Sequence, residues 1–257
     1  MTRVHVESAG VFLPGLETWH EARAVLRGEA PYAARPLPVP AIERLAAGER
    51  RRATPVIKLA FHAAEHALAA SARDPATLAA VFGSSDGDTQ ILNRSCQALA
   101  VEPRQLSPTE FHNSVHNAPA GYWSIATGSR RGSSTIAAYD DSFAAALLEA
   151  ALLAQDEDEA AVLLCVYDAP HLPPMDAKRP VPHAGAVSLL LTARPQGATL
   201  GALALSPAVA AASALDGALE NLRTSHPAAR ALPLLRLLAR AEPGTVQIGG
   251  IQLDARP

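Results

Sequence analysis

An α/β fold is the expectation for this chain, and three observations lead to it. Six runs rich in Ala, Val, Leu and Ile are mostly continuous in their apolar character, as strands buried on both faces are. Segments with helical spacing and clear capping residues fall between them. No repeat of fixed period breaks this alternation.

Taken in order, the first strand is "RVHVESAGVF" (3–12) and the first helix "ETWHEARAVLRG", stopped at Gly28. The proline-rich "PYAARPLPVPAI" (31–42) is an extended surface connection rather than a linker, because the pattern on both sides belongs to one alternation. "TPVIKLAFHAAEHALAAS" opens a helix with Thr54 as N-cap and Pro55 at the first helical position. "LAAVFGSS" is the next strand, followed by the polar helical stretch "ILNRSCQALA". "APAGYWSIATG" is a helix ending at Gly128, "STIAAY" a strand, and Ser142 to about Gln155 a helix. "AAVLLCVYDA", "AGAVSLLLTA" and "ATLGALALS" complete the strands. After about Val209 come helical "DGALENLRTS" and "ARALPLLRLLARA", then one last strand-like "GTVQIGGIQL".

Composition removes several function classes. The chain has 257 residues, 49% hydrophobic and 18% charged, enough for a full core in one large domain or two tightly packed halves. A net charge of −3 gives no electrostatic reason to expect nucleic acid or an anionic membrane as partner. No basic segment followed by an apolar run opens the chain and no apolar stretch is long enough to span a bilayer, so a cytoplasmic setting is expected. With only Cys96 and Cys165, a disulfide framework and a four-thiolate zinc site are not expected.

Three motifs compete for chemistry. "HAAEH" (His62, Glu65, His66) fits an inverted zinc-peptidase pattern, with Glu149 as a nominal third ligand. A solvated polar helix face explains it better, since these residues fall with Lys58 opposite Leu59, Ala60, Ala63 and Ala67. "GSSDG" fits the nucleophile elbow of α/β-hydrolases, with Ser85, then Asp140 or Asp141, then His171 or His183 in the right chain order. Too few strands precede Ser85 for that fold. "HNSVH" (His112, His116) has no acid or thiol at ligand spacing and is taken as a pair of helix-start histidines. Cys165 lies in an apolar strand as a small hydrophobe, and Cys96 has no base beside it. Neither metal nor cofactor is expected.

From Asn117, "NAPAGYWSIATGSRRGSSTIAAYDDSFAAALLEA" resembles the β-ketoacyl synthase pattern, in which an Asn, an Ala-Gly pair and a Gly-Leu-Arg-Gly-Pro-Ser turn precede the strand ending in Thr-Ala-Cys-x-Ser. Asn117, Ala120, Gly121, Gly128, Arg130, Ser133 and Ser142 stand in matching places, and Asp140 falls where that family has its nucleophilic Cys. "TPVIKLAFHAAEHALAAS", "AAVFGSSDGD" and "PMDAKRPVPHAGAVSLLL" continue the likeness over about 200 residues. The resemblance implies a thiolase-like fold, with an essentially complete N-terminal half over 1–195 and a truncated C-terminal segment, 196–257, packed on it.

The same resemblance implies a function by what is missing. Condensation in the family needs a Cys thiolate to carry the acyl group and two His from the second half. This chain has Asp140 and no His motif; His226 falls in "RTSHPAAR", a loop. Asp140 and Asp141 are expected to cap and charge-match the following helix. The chain is thus similar to chain-length-factor subunits, and to the small ketosynthase-like proteins of aryl polyene and xanthomonadin-type pathways. The implied partner is a full-length ketosynthase, with an acyl carrier protein engaged indirectly and a homodimer as the further possibility. Asn117, Tyr122 and Trp123 are the implied interface or acyl-tunnel gate residues, with only one of the two adjacent aromatics facing the partner. The enzyme-class alternative is a serine hydrolase using Ser85.

Overall fold

The computed structural model describes residues 2–40, 42–156, 159 and 161–257. Ala41 of the proline-rich connection and Ala160, first residue of the predicted "AAVLLCVYDA" strand, lie outside them. The chain runs β1 (Thr2–Phe12), α1 (Trp19–Arg27), α2 (Ala47–Arg52), α3 (Pro55–Ala69), β2 (Ala79–Gly83), α4 (Thr89–Leu99), α5 (Pro108–Asn113), α6 (Ala118–Thr127), β3 (Ser133–Ile136) and α7 (Ser142–Leu153). It continues with β4 (Val162–Asp168), β5 (Gly185–Thr192), β6 (Gly201–Pro207), α8 (Gly217–Ser225), α9 (Leu232–Arg240), β7 (Gly244–Ile248) and β8 (Ile251–Arg256).

Among the described residues the strands form one sheet in the order β3-β2-β4-β5-β1-β6-β8-β7. β2 is parallel to both β3 and β4, and the remaining pairs are antiparallel. β1 is the joint: its first residues pair with β6, and the stretch from His5 to Phe12 pairs with β5.

Two apolar cores flank the sheet. One face of β2, β4 and β5 (Phe82, Leu163, Cys165, Leu190) packs on α3 and α6, and the other (Val81, Leu164, Leu189) on α7. α3 reaches the sheet closely because Ala60, Ala63, Ala64 and Ala67 face it; a Cβ on Gly10 would collide with the Ala63 carbonyl oxygen. Beyond β1, the residues of β6, β7 and β8 that face the first core (Leu203, Leu205, Leu253, Val246) are covered, whereas the alternate positions Ala202, Ala204 and Ser206 of β6 and Gln252 and Asp254 of β8 are half-exposed; in β7 Gln247 is buried under Val209 and Ser213.

The structure departs from the sequence reading in a few places. "GTVQIGGIQL" is a hairpin, β7 and β8, reversed at Gly249, whose φ of 56° is a backbone state that glycine adopts without strain. "STIAAY" stops as a strand at Ile136, because Tyr139 takes a positive φ of 54° and enters a 3₁₀ turn. Short α2 and α5 had no apolar periodicity to announce them. His62, Glu65 and His66 are half-buried rather than solvated. The His62 ring stacks on Phe12 at 4.2 Å and on His66 at 4.1 Å, and burial, reinforced by His66, pulls the His62 pKa down to about 4. Beside Glu65, the segment from Ile42 to Ala46 buries Ile42 and Leu45 and brings Arg44 to within 3.6 Å of that carboxylate.

Candidate functional site

Polar side chains collect where β2, β3 and β4 end and α7 begins. Parallel strands bring their carboxyl ends to one edge, and the turns that follow supply the groups. After β2 come Ser84, Ser85 and Asp86; Asp168 is the last residue of β4; Tyr139 and Asp140 form the turn into α7.

Asp168 organises the deepest layer. Its Oδ1 accepts from Ser84 Oγ (2.9 Å), Ser85 N (2.8 Å) and Ser85 Oγ (2.8 Å). Desolvation nevertheless pushes its pKa up to about 7, against the pull of those hydrogen bonds. Beside it, His226 is 1% exposed. Its Nδ1 accepts from Ala228 N (3.2 Å), so the ring proton sits on Nε2 and is donated to the Asp168 carbonyl (3.2 Å). Burial holds this imidazole neutral, with its pKa lowered to about 4. Although His226 does fall between helices, as expected, it is buried there, against Gly185.

The outer layer is ionic. Arg179 stacks its guanidinium 3.5 Å from the centre of the Tyr139 ring and donates from Nη1 to Asp140 Oδ1 at 2.7 Å, while its Nε lies 3.4 Å from Asp86 Oδ2. Arg230 Nη2 donates to Asp140 Oδ2 at 3.3 Å. The expected capping by the two acids is therefore not made. Asp141 occupies the N-cap position of α7 without a side-chain cap bond and lies beside Gly249, while Asp140 turns to the arginines. Ser142 ties the turn in their stead, accepting from Ala138 N (3.0 Å) and donating to the Tyr139 carbonyl (2.7 Å).

Other candidates fall elsewhere. The Ser85 hydroxyl contacts the carboxylates of Asp86 (2.6 Å) and Asp168. His171 donates from Nδ1 to the Arg179 carbonyl (2.7 Å) and points Nε2 at Asp86 (3.3 Å), and His183 is exposed. With no imidazole placed to take the Ser85 proton among the described residues, the hydrolase reading is not favoured. His116 Nε2 lies 3.2 Å from the Ser84 carbonyl, whereas His112 is on exposed α5. Glu149 accepts from Ser134 on the other side of the turn. Cys96 is exposed, and Cys165 is fully buried with its thiol pKa pushed far up by desolvation. Among the described residues no group of three or more His, Cys, Asp or Glu is placed to hold a metal ion.

Asn117 caps α6 by position only and is exposed. Tyr122 and Trp123 are 3% and 1% exposed within this chain, with Trp123 set between Phe61 and Phe82. Gly121 and Ile125 are the outward positions of that helix, next to a groove of about 450 Å³ lined by Phe111, Val115 and Ile125. Arg179, Arg230 and Asp168 were not singled out by sequence. A single Asp closing an apolar strand was the available signal for Asp168; the arginines carried none.

The family model of the β-ketoacyl synthase N-terminal domain matches residues 19–248. The chain belongs to that family. Its fold is that of the thiolase-like ketosynthase N-terminal domain. Among solved structures, a chain in the complex of the ketosynthase ApeO with its chain length factor ApeC from Xenorhabdus doucetiae is 24% identical with a TM-score of 0.72, and each chain is covered to 100%. A chain of the ishigamide ketosynthase/chain length factor has a TM-score of 0.70 at 12% identity, covered to 99% on both sides. The AntDE:AntF assembly, a type II polyketide acyl-carrier protein in complex with its ketosynthase, gives a TM-score of 0.66 at 19% identity, over 81% of this chain and 70% of that one. At such identities the likeness speaks for the ketosynthase fold. No curated protein matches in sequence. No helix among the described residues is long and apolar enough to cross a membrane.

Proposed function

We propose that this ketosynthase-family chain is a noncatalytic, chain-length-factor-like subunit that pairs with a full-length β-ketoacyl-acyl carrier protein synthase in polyene- or polyketide-type chain elongation, in the cytoplasm. One observation carries the reading. Asp140, in the place the family gives its nucleophilic Cys, has both carboxylate oxygens engaged by Arg179 and Arg230. Two ion pairs stabilise the carboxylate as an anion and lower its nucleophilicity, and an acyl-aspartate would be a mixed anhydride rather than a stable thioester-like intermediate. His226, neutral and donating to a backbone carbonyl in the core, is not offered to a substrate either. The named complexes of ketosynthases with chain length factors support a paired assembly, with the acyl carrier protein engaged through the partner. A stable pair of that kind buries on the order of 2,000 Å² or more; self-association through the same surface is the alternative when no ketosynthase is present.

In the same reading α6 borders the partner's acyl tunnel, with Asn117, Tyr122 and Trp123 as the interface or gate candidates; Asn117 and Tyr122 line the surface groove, whereas Trp123 is wedged between Phe61 and Phe82 inside this chain. The test is reconstitution with a ketosynthase. The isolated chain should show no acyl adduct by intact mass after incubation with acylated carrier protein, and no condensation with malonyl carrier protein. An adduct on this chain, or turnover without a second ketosynthase, would overturn the proposal. Truncating Tyr122 or Trp123 to Ala lengthens the partner's product if that side chain is the gate; unchanged products in both, with the complex intact, remove α6 as the ruler.

A further inference from the structure

Asp140 is no acyl carrier, yet its surroundings are specific. The two arginines that meet it come from separate stretches, the strap from 171 to 182 and the 3₁₀ turn from 228 to 231, and among the described residues Asp140 is the one carboxylate that both reach. Their side chains are 14% and 21% exposed, against 41% for Asp140. Arg179 is held in place independently, by the Tyr139 ring and by Asp86. Arg179 Nη2 and Arg230 Nε are buried and have no acceptor among the described residues. Two convergent, largely desolvated guanidinium groups with donor capacity left over are a receptor for a carboxylate, whichever molecule supplies the oxygens.

We propose that Arg179 and Arg230 form a carboxylate-binding site whose resident ligand is the chain's own Asp140. Residue 140 thereby acts as an internal anion that ties the strap and the 3₁₀ turn to the start of α7, and the site takes a small free monocarboxylate when Asp140 is removed. The inference holds whether or not the chain pairs with a ketosynthase, since every measurement uses this chain alone.

The test is thermal unfolding of the full chain with sodium formate or acetate, against sodium chloride at equal ionic strength. The tethered Asp140 outcompetes added anions, so the wild-type midpoint should move no more in formate than in chloride. Asp140→Ala should melt lower, and formate should restore about half or more of the loss along a saturating curve, as a ligand of the native state does. Adding Arg230→Met to Asp140→Ala should abolish the restoration. The proposal is overturned by an Asp140→Ala protein that melts with the wild type, by chloride restoring as much as formate, by restoration that survives loss of Arg230, or by a formate-specific rise in the wild type. Should Asp140→Ala not fold, a double-mutant cycle of Asp140→Asn with Arg230→Met decides: coupling of roughly tenfold in the unfolding constant is expected, and additive losses overturn the site.

Discussion

The sheet changes character at β1. From β3 to β5 its strands carry helices on both faces, and every residue of β2, β4 and β5 is buried. Beyond β1 only one face is covered, and burial alternates along β6 and β8, with Leu203, Leu205 and Leu253 inward and Ala204, Gln252 and Asp254 outward. The covered region tolerates polar groups only when they are paired or neutral, so its few ionisable groups are strongly shifted. The open face of β6 and β8 solvates its polar residues and asks nothing special of them.

The largest expected break in this contrast is Trp123→Ala. Its indole, wedged between Phe61 and Phe82, should cost about 3–5 kcal/mol in chemical denaturation; a loss below ~1 kcal/mol would mean that α6 is not part of the covered core. Next comes pH, where two buried groups at the end of β4 pull in opposite directions. His226 titrates near 4 in the folded chain against 6.5 ordinarily, so it stabilises above pH 6.5 and that contribution drains away as pH falls toward 4. Asp168 titrates near 7 against 3.8, so its contribution is full below pH 3.8 and is lost as pH rises toward 7. Between about pH 4 and 6.5 the two slopes, each roughly 1.4 kcal/mol per pH unit, oppose one another. Asp168→Asn should therefore leave stability rising with pH across that window, and His226→Gln should leave it falling. Identical profiles in the two variants would show that neither group is buried as described.

Gly185→Ala follows, at about 1–3 kcal/mol from overpacking. Its new methyl would lie 2.7 Å from Leu13 Cδ2 and 2.9 Å from His226 Cε1, so a lost pH response of His226 should accompany the destabilisation. The smallest effect belongs to the open face. Thr245→Ala, which removes an exposed hydroxyl that donates to Asp254, should stay within about 0.5 kcal/mol. A loss comparable to that of Gly185→Ala would show that this face is packed against something.

What could be read in advance follows the same division. Strands buried on both faces announce themselves as unbroken apolar runs, and helices bounded by Thr54, Gly28 and Gly128 by their caps. The closing hairpin reads as one strand because its turn is two glycines inside an otherwise continuous pattern. The half-buried His62 and His66 read as solvated since helical position alone does not reveal the approach of Phe12. At the candidate site Asp140 stood out by comparison with a family motif. Its partners did not, because Arg179 and Arg230 are 39 and 90 residues away in the chain. Long-range charge pairing leaves no local signature.

The position of β1 bears on the order in which the chain can assemble. It is the earliest strand, yet both of its neighbours, β5 and β6, lie beyond residue 184. Until those segments are available, β1 has two unsatisfied edges and an apolar face with no sheet to join, a state prone to pairing with other chains. α3, which seats on Gly10, can shield one side of the strand in the interim but cannot satisfy its hydrogen bonds. Closure of the sheet is thus a late event set by contacts of high sequence separation, and slow folding is the expected result. Truncation before Gly201 would leave the β6-facing edge of β1 permanently open, even with the whole of the doubly covered region intact.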